Sequence, residues 1–510
     1  TVPAMVRLKI QGVFSVLSWK ATSLPEARAM HVSALCVLLA GLAAAAPEPL
    51  PQAALEAAAR AEECEQAGAC SDPPDLALLQ RRARKTSAPR EGDGTSLEMV
   101  LAVSRHTIKS MIKDYKGLGL SDKDIDQSYG AVNGDATPHG LLFATKLGAH
   151  YREQYGAALD LAGGAGCEQI GRVVRVYADE DARDRETGNR WLEGFAPGCE
   201  LSSVSGELEH TVLQEGKVLL PGCEYASEQE VKGLIGGDIN AWALENFGPL
   251  MDELQEIFGC CAPSLCAGGS GTGSGGECQL RDIPNEWVGG YWDTWGGGIQ
   301  YAGWMAATLQ TQYVNNNTVL GGASPETIER LYRVTEGIWR TYKNPINANR
   351  FGGTLPAYLA AALLSAAEGR AVLPESMSMR GQQDTKFQWF MGHDVNVALL
   401  AETLQLSLET PSYPPGTSSI FIGALLFELY SVPAPAGGPK AFTVRVFQEA
   451  PTTTQLRRLE AETVPRSAVS LPGCSQPLDC PLEEFVRLVA TRVNGRCVPE
   501  ALAGFLRQRG

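Results

Sequence analysis

At 510 residues, with 44% apolar and 20% charged side chains, the chain is long enough for one large α/β unit with an insertion, or for two or three domains. A formal charge of -15 argues against the broad basic face of a nucleic-acid binder, so no nucleic-acid partner is expected and any anion site must be built locally.

Before Met30 the chain carries Arg7, Lys9, Lys20 and Arg28, and after it the apolar run MHVSALCVLLAGLAAAAPEP ends in small residues before prolines. This pattern predicts a secretory signal, with residues 1–46 an upstream stretch plus leader and Met30 the start. The apolar run from Val32 to Ala46 is shorter than the roughly 18 to 20 residues a membrane-spanning helix needs, so no stable membrane insertion is expected. Residues 47–95, rich in Ala, Pro, Glu and Arg with a basic run at 80–85, are expected to form a linker or pro-segment.

Of 13 cysteines, all but Cys36 fall after this leader, and the remaining even number in a secreted chain points to disulfides. The close groups Cys260-Cys261-Cys266 and Cys474-Cys480 lack C-x-x-C spacing and nearby histidines, so no metal and no other cofactor is expected.

The segment EMVLAVS from Glu98 to Ser104 suits a buried strand, and the polar stretch from Arg105 to Ser110 follows at its carboxyl end. Thr137-Pro138 supplies an N-cap and a first-turn proline for an amphipathic helix through GLLFATKLGAHYREQYG. A second strand, VVRVYA at 173–178, leads through Asp179-Glu180-Asp181-Ala182-Arg183 into a helix through Trp191. Residues 207–370 read as largely helical with Gly-rich interruptions at 267–277 and 289–298. A third strand, KFQWFM at 386–391, runs into Gly392-His393-Asp394 and a helix from Val397 to Leu404, for which Asp394 is itself a candidate N-cap. Two strands at 420–432 and 441–447 and a helix from Pro481 to Val493 complete the pattern.

The expected architecture is therefore α/β: a mixed, mostly parallel sheet flanked by helices, with core segments at 96–206 and 381–510 and an inserted, mainly helical lobe at 207–380. Three strand ends then deliver Arg105-His106 with Lys109, Asp179 with Arg183, and His393-Asp394 to one rim. Phosphoryl transfer needs cations around the non-bridging oxygens, an in-line nucleophile and an acid beside the leaving oxygen, and this set contains each. An imidazole attacks phosphorus well and gives a phosphoramidate that water hydrolyses. Arg183 has a plainer reading, a solvated pair with Asp179 or Asp181, and His139 reads as a structural polar residue.

The segment VLAVSRHTIKSMIK resembles the active-site strand and loop of histidine acid phosphatases, whose pattern is R-H-G-x-R-x-P. GDATPHGLLFATKLGAHYREQYG, ADEDARDRETGNRWLEGFAPGC and GHDVNVALLAETLQL resemble further segments of phytase-type members, so that the likeness covers roughly 96–510. It implies a secreted acid phosphomonoesterase acting on a small phosphorylated substrate, inositol phosphates among them, with Arg105 and Arg183 as phosphate clamps and His106 as the phosphorylated nucleophile. It further implies His393 as a phosphate contact, Asp394 as proton donor, Lys109 in place of a second arginine, and Lys113 and Asp179 in the substrate pocket. The implied disulfides are Cys167-Cys199, Cys223-Cys497 and Cys474-Cys480, with Cys278 joined to one of Cys260, Cys261 or Cys266.

The chain departs from the family pattern at Thr107 for glycine, Lys109 for arginine and Met111 for proline. Lysine lacks the planar fork that grips two phosphate oxygens, and threonine brings a β-branched side chain where close approach favours glycine. A catalytically weak or inactive homologue that binds phosphate esters is the competing expectation. Val395 and Met305, standing where phytase-like members place a hydroxyl and an acidic residue, shift the expectation from phytate toward phosphomonoesters in general.

Overall fold

The computed structural model describes residues 95–161, 164–206, 212–213, 219–266, 278–289, 294–373, 384–433 and 440–510. The expected leader and nearly all of the linker, with Cys64 and Cys70, lie outside the described residues.

The chain opens with β1 (Ser96–Arg105), α1 (Pro138–Tyr155), α2 (Cys167–Val173), β2 (Val174–Ala178) and α3 (Ala182–Phe195). Next come α4 (Glu228–Leu234), α5 (Ile239–Phe258), a ribbon of β3 (Glu286–Trp287) and β4 (Trp295–Gly296), α6 (Gly298–Val314), α7 (Pro325–Arg340), α8 (Pro345–Phe351) and α9 (Thr354–Glu368). The last part holds β5 (Phe387–Gly392), α10 (Asp394–Thr403), β6 (Ala424–Val432), β7 (Ala441–Glu449), α11 (Thr453–Arg458), β8 (Arg466–Val469), β9 (Cys480–Pro481), α12 (Leu482–Arg492) and α13 (Glu500–Arg507).

The main sheet runs β2-β5-β1-β6-β7-β8, with β9 also paired to β7. It is mixed, as expected, but parallel pairing is confined to β2-β5-β1, and β6 to β9 join antiparallel. The predominance of parallel pairs expected from the sequence fails because β6 and β7 form a hairpin needing no crossover helix. Both faces are covered, which explains the unbroken apolar run of β1: Met99, Leu101 and Val103 enter one core, and Val100 and Ala102 the other. The first core includes α9, α12 and α13, and the second α1, α3 and the Trp191, Phe387 and Trp389 rings. α9 therefore packs on the sheet, while α5, α6 and α7 build a separate core around Phe258, Met305 and Leu331.

Local signals set the helix starts: the Thr137 hydroxyl accepts from Gly140 N at 3.0 Å ahead of Pro138, and Asp238 and Ser324 cap α5 and α7. Disulfides join Cys167–Cys199, Cys223–Cys497 and Cys474–Cys480, and Cys278 pairs with Cys266; Cys260 joins its neighbour Cys261. Among the described residues, no helix is long and apolar enough to cross a membrane.

Candidate active site

The parallel register places Arg105 beside Gly392 and Ala178 beside Met391, so β1, β5 and β2 end at one level. The carboxyl ends of parallel strands are where such sheets form crevices. Backbone bonds lock the three exits together: His106 N donates to Gly392 O at 2.7 Å, Asp179 N to Met391 O at 2.9 Å, and Ile422 N to His106 O at 3.1 Å.

His106 is 2% exposed, and its Nδ1 lies 2.6 Å from the carbonyl of Thr107. A carbonyl only accepts, so the ring proton belongs on Nδ1 and Nε2 carries the lone pair. Burial, followed by Arg105, Arg183, His393 and Lys109, holds this imidazole well below the ordinary histidine range. It is a neutral ring surrounded by cations.

Thr107 resolves differently from its sequence expectation. Its φ is not among the positive values, so its backbone has no need of glycine. The side chain is fully buried against α1, where Oγ1 donates to Gly140 O at 2.8 Å, and its amide donates to Thr187 Oγ1 at 3.2 Å. A Cβ on Gly140 would come within 2.9 Å of Thr107 Oγ1 and of Ile108 N, so Gly140 supplies the room that Thr107 takes. Thr107 does not line the cavity beside His106.

Arg183, in the first turn of α3, pairs with Asp181 at 2.6 Å and donates from Nη2 to His393 Nδ1 at 3.1 Å. His393 Nε2 then faces Asp179 at 3.1 Å and Asp184 at 3.3 Å. Asp179 thus fixes the His393 tautomer, and His393 in turn steadies Arg183. Asp181, Asp184 and His393 stand close enough to share a cation, and the Arg183 guanidinium already brings positive charge to that group. His139 lies elsewhere, 2.9 Å from Leu456 O.

Asp394 is the first residue of α10, and the cap is His393, whose amide donates to Asn396 Oδ1 at 2.8 Å. The capping role open to Asp394 in the sequence is therefore taken by its neighbour, leaving its carboxylate for the site. Asp394 Oδ2 lies 3.5 Å from Lys343 Nζ and 3.9 Å from Arg105 Nη2. Burial opposes its charge, but Lys343, Arg105, Lys109 and His393 outweigh burial and hold the carboxyl well below the usual carboxylate range. Arg105 also donates to Ser419 O and stacks over Phe421 at 4.1 Å, and the Ser419 hydroxyl donates to buried Glu336.

These groups border a cavity of about 430 Å³ lined by Arg105, His106, Lys109, Lys113, Arg183, His393 and Asp394. Burial, Arg183 and Arg105 bring the Lys109 ammonium down to about 8, and Lys113 stacks over Trp304 at 4.1 Å. Trp304, Trp339 and Gln300 from the lobe form further walls, as does Met111. Val395 and Met305 do not line it: Val395 packs with Phe351 and Leu399, and Met305 sits in the lobe core. Sequence reading missed Lys343, Trp304 and Trp339. A lysine just past a helix end reads as a solvated cation, and tryptophans on lobe helices read as packing, so no local signal distinguishes them.

No protein-family model matches the chain. It is 31% identical to the phytase AppA of Escherichia coli strain K12 over 129 residues, 25% of this chain and 29% of that enzyme. The chain thus aligns with less than a third of that relative. Its fold is similar to the phytase of Citrobacter braakii, with TM-score 0.65, 19% identity and coverage of 80% of this chain and 100% of the other. The phytases of Hafnia alvei and Klebsiella sp. ASR1 match with TM-scores of 0.64 and 0.63 at 20% identity, covering 81% and 82% of this chain and 100% and 99% of theirs.

Proposed function

We propose, from the histidine acid phosphatase pattern of the sequence and a fold shared with bacterial phytases, that this chain hydrolyses phosphate monoesters through a phosphohistidine. The observation that carries the reading is His106: a buried, neutral imidazole with its proton committed to Thr107 O, sharing a cavity with Arg105, Lys109 and Arg183.

In the first step the Nε2 lone pair of His106 forms a bond to phosphorus while the bond from phosphorus to the leaving oxygen breaks. Arg105, Arg183 and Lys109 offset charge on the non-bridging oxygens, and Asp394 gives a proton to the leaving oxygen. Water then attacks phosphorus, the bond to Nε2 breaks, and the water proton passes to Asp394. Since Asp394 is ionised in the free site, its proton arrives with the monoanionic ester. Such esters lose that proton near a second pKa of about 6, so turnover falls as pH rises through this range.

The disulfides fit a secreted enzyme. The relatives named phytase make inositol phosphates a substrate class to test, with Lys113, a cavity-lining cation, as the group proposed to meet a further phosphate. The competing reading, a weak homologue, is favoured by Lys109, because a point charge replaces a bidentate grip.

The test is phosphate release from p-nitrophenyl phosphate and from phytate between about pH 3 and 7, with His106→Ala as control. Release that falls by at least about a thousandfold in the variant is expected. Wild-type release no greater than that of His106→Ala sinks the enzyme reading.

A further inference from the structure

We propose that Lys343 is a positioning residue for Asp394: from behind the site it fixes the carboxylate in place and sets the pH range in which that group takes up its proton. The proposal rests on the reading of Asp394 as proton donor.

Lys343 lies in the turn between α7 and α8, in the segment RTYKNP. Its amide donates to Trp339 O at 2.7 Å, and the next residue, Asn344, caps α8 by accepting from Asn347 N at 2.9 Å. The lysine backbone is therefore held on both sides. Its side chain is 5% exposed, Nζ sits 4.3 Å over the Trp339 ring, and Asp394 Oδ2 is 3.5 Å away. Among the described residues, Nζ has no hydrogen-bond acceptor, and Lys343 is absent from the cavity lining. A buried ammonium is costly unless opposite charge stands near it; Asp394 is the carboxylate in ion-pair range, and Glu336 is a second carboxyl that feels the Lys343 charge.

The other groups facing Asp394 have separate tasks. Arg105 at the end of β1 and Lys109 in the following loop border the cavity, where an incoming phosphate competes for them, and His393 holds Arg183. Glu336 and Tyr332 on α7 act in the opposite direction: the Glu336 carboxyl is pushed up, by burial first, and each is electrostatically coupled to Asp394. Lys343 is the cation outside the cavity lining, so it stays on Asp394 when phosphate occupies the site. It keeps the carboxylate available to accept the substrate proton, pass it to the leaving oxygen and recover one from water.

The experiment compares wild-type, disulfide-intact protein with Lys343→Met and Lys343→Arg. Profiles of kcat/KM and kcat against pH are measured with p-nitrophenyl phosphate, and calorimetric binding of inorganic phosphate is followed over the same range. In Lys343→Met the Asp394 titration is expected to move up by about one to three pH units, carrying the acid limb of both profiles with it. KM at the new optimum should change by less than about threefold, and Lys343→Arg should restore the wild-type limb. Unmoved profiles, or equal loss in both variants with unchanged shape, overturn the proposal. Phosphate binding reads the same titration without turnover: absent wild-type catalysis defeats the proposed function, while Lys343 is still judged by whether the binding profile moves.

Discussion

Two buried charged clusters lie on this sheet, and they are built to opposite ends. On β6, β7 and β8, Arg466 donates to Glu428 at 2.7 Å, to Glu449 at 3.3 Å and to Tyr155 Oη at 2.6 Å. Tyr430 adds a bond to Glu428 at 2.8 Å, and His150 stands 3.3 Å from Glu449. Here donors close on acceptors inside the protein. At the strand ends, Asp394 meets its two cations only at 3.5 and 3.9 Å, while Lys109 forms no ion pair among the described residues. Arg105 Nε lacks a hydrogen-bond partner there. A closed cluster supports the fold, and an open one keeps donors in reserve for an anion.

The largest effect expected from this contrast is on stability. Arg466→Met strands Glu428 and Glu449, 1% and 2% exposed, and should lower unfolding free energy by about 3–5 kcal/mol in denaturant titrations. Activity per folded molecule should persist, and loss of activity at unchanged stability would break the distinction. Burial opposes charge on Glu449, but His150 and Arg466 hold its carboxyl below the ordinary glutamate range. The folded state therefore binds this proton more weakly than the unfolded one. That contribution is present above the unfolded glutamate pKa and is lost as pH falls through the folded one.

Filling the open cluster should stabilise the protein. Inorganic phosphate at a hundred times its dissociation constant adds about 2.7 kcal/mol, read as a rise in Tm, and Arg466→Met should gain the same increment. A larger gain in that variant would mean the two clusters are coupled. The smallest effect belongs to Thr107→Gly. Loss of its bond to Gly140 O and added backbone freedom should cost about 1–2 kcal/mol with kcat/KM little changed. A large rise in kcat/KM would instead show that Thr107 crowds the phosphate.

The candidate catalytic set was legible because its signals are local. Short apolar runs gave β1, β2 and β5, Thr137-Pro138 marked a helix start, and each polar exit carried its own charged residues. A parallel register then brings such exits to one level without further instruction. Neighbour identity across the fold was not legible. Nothing within a few residues of Lys343 says that its ammonium will be buried beside Asp394, 51 positions along the chain. Nothing near Thr107 says that Gly140 vacates its space, and Cys278 could choose Cys266 only once the lobe had folded. Local pattern fixed which residues leave the sheet together, because strand and helix periods are written in spacings of two to four residues. Packing alone decided which cation stands behind the acid, because burial is a property of all the chain segments that meet there.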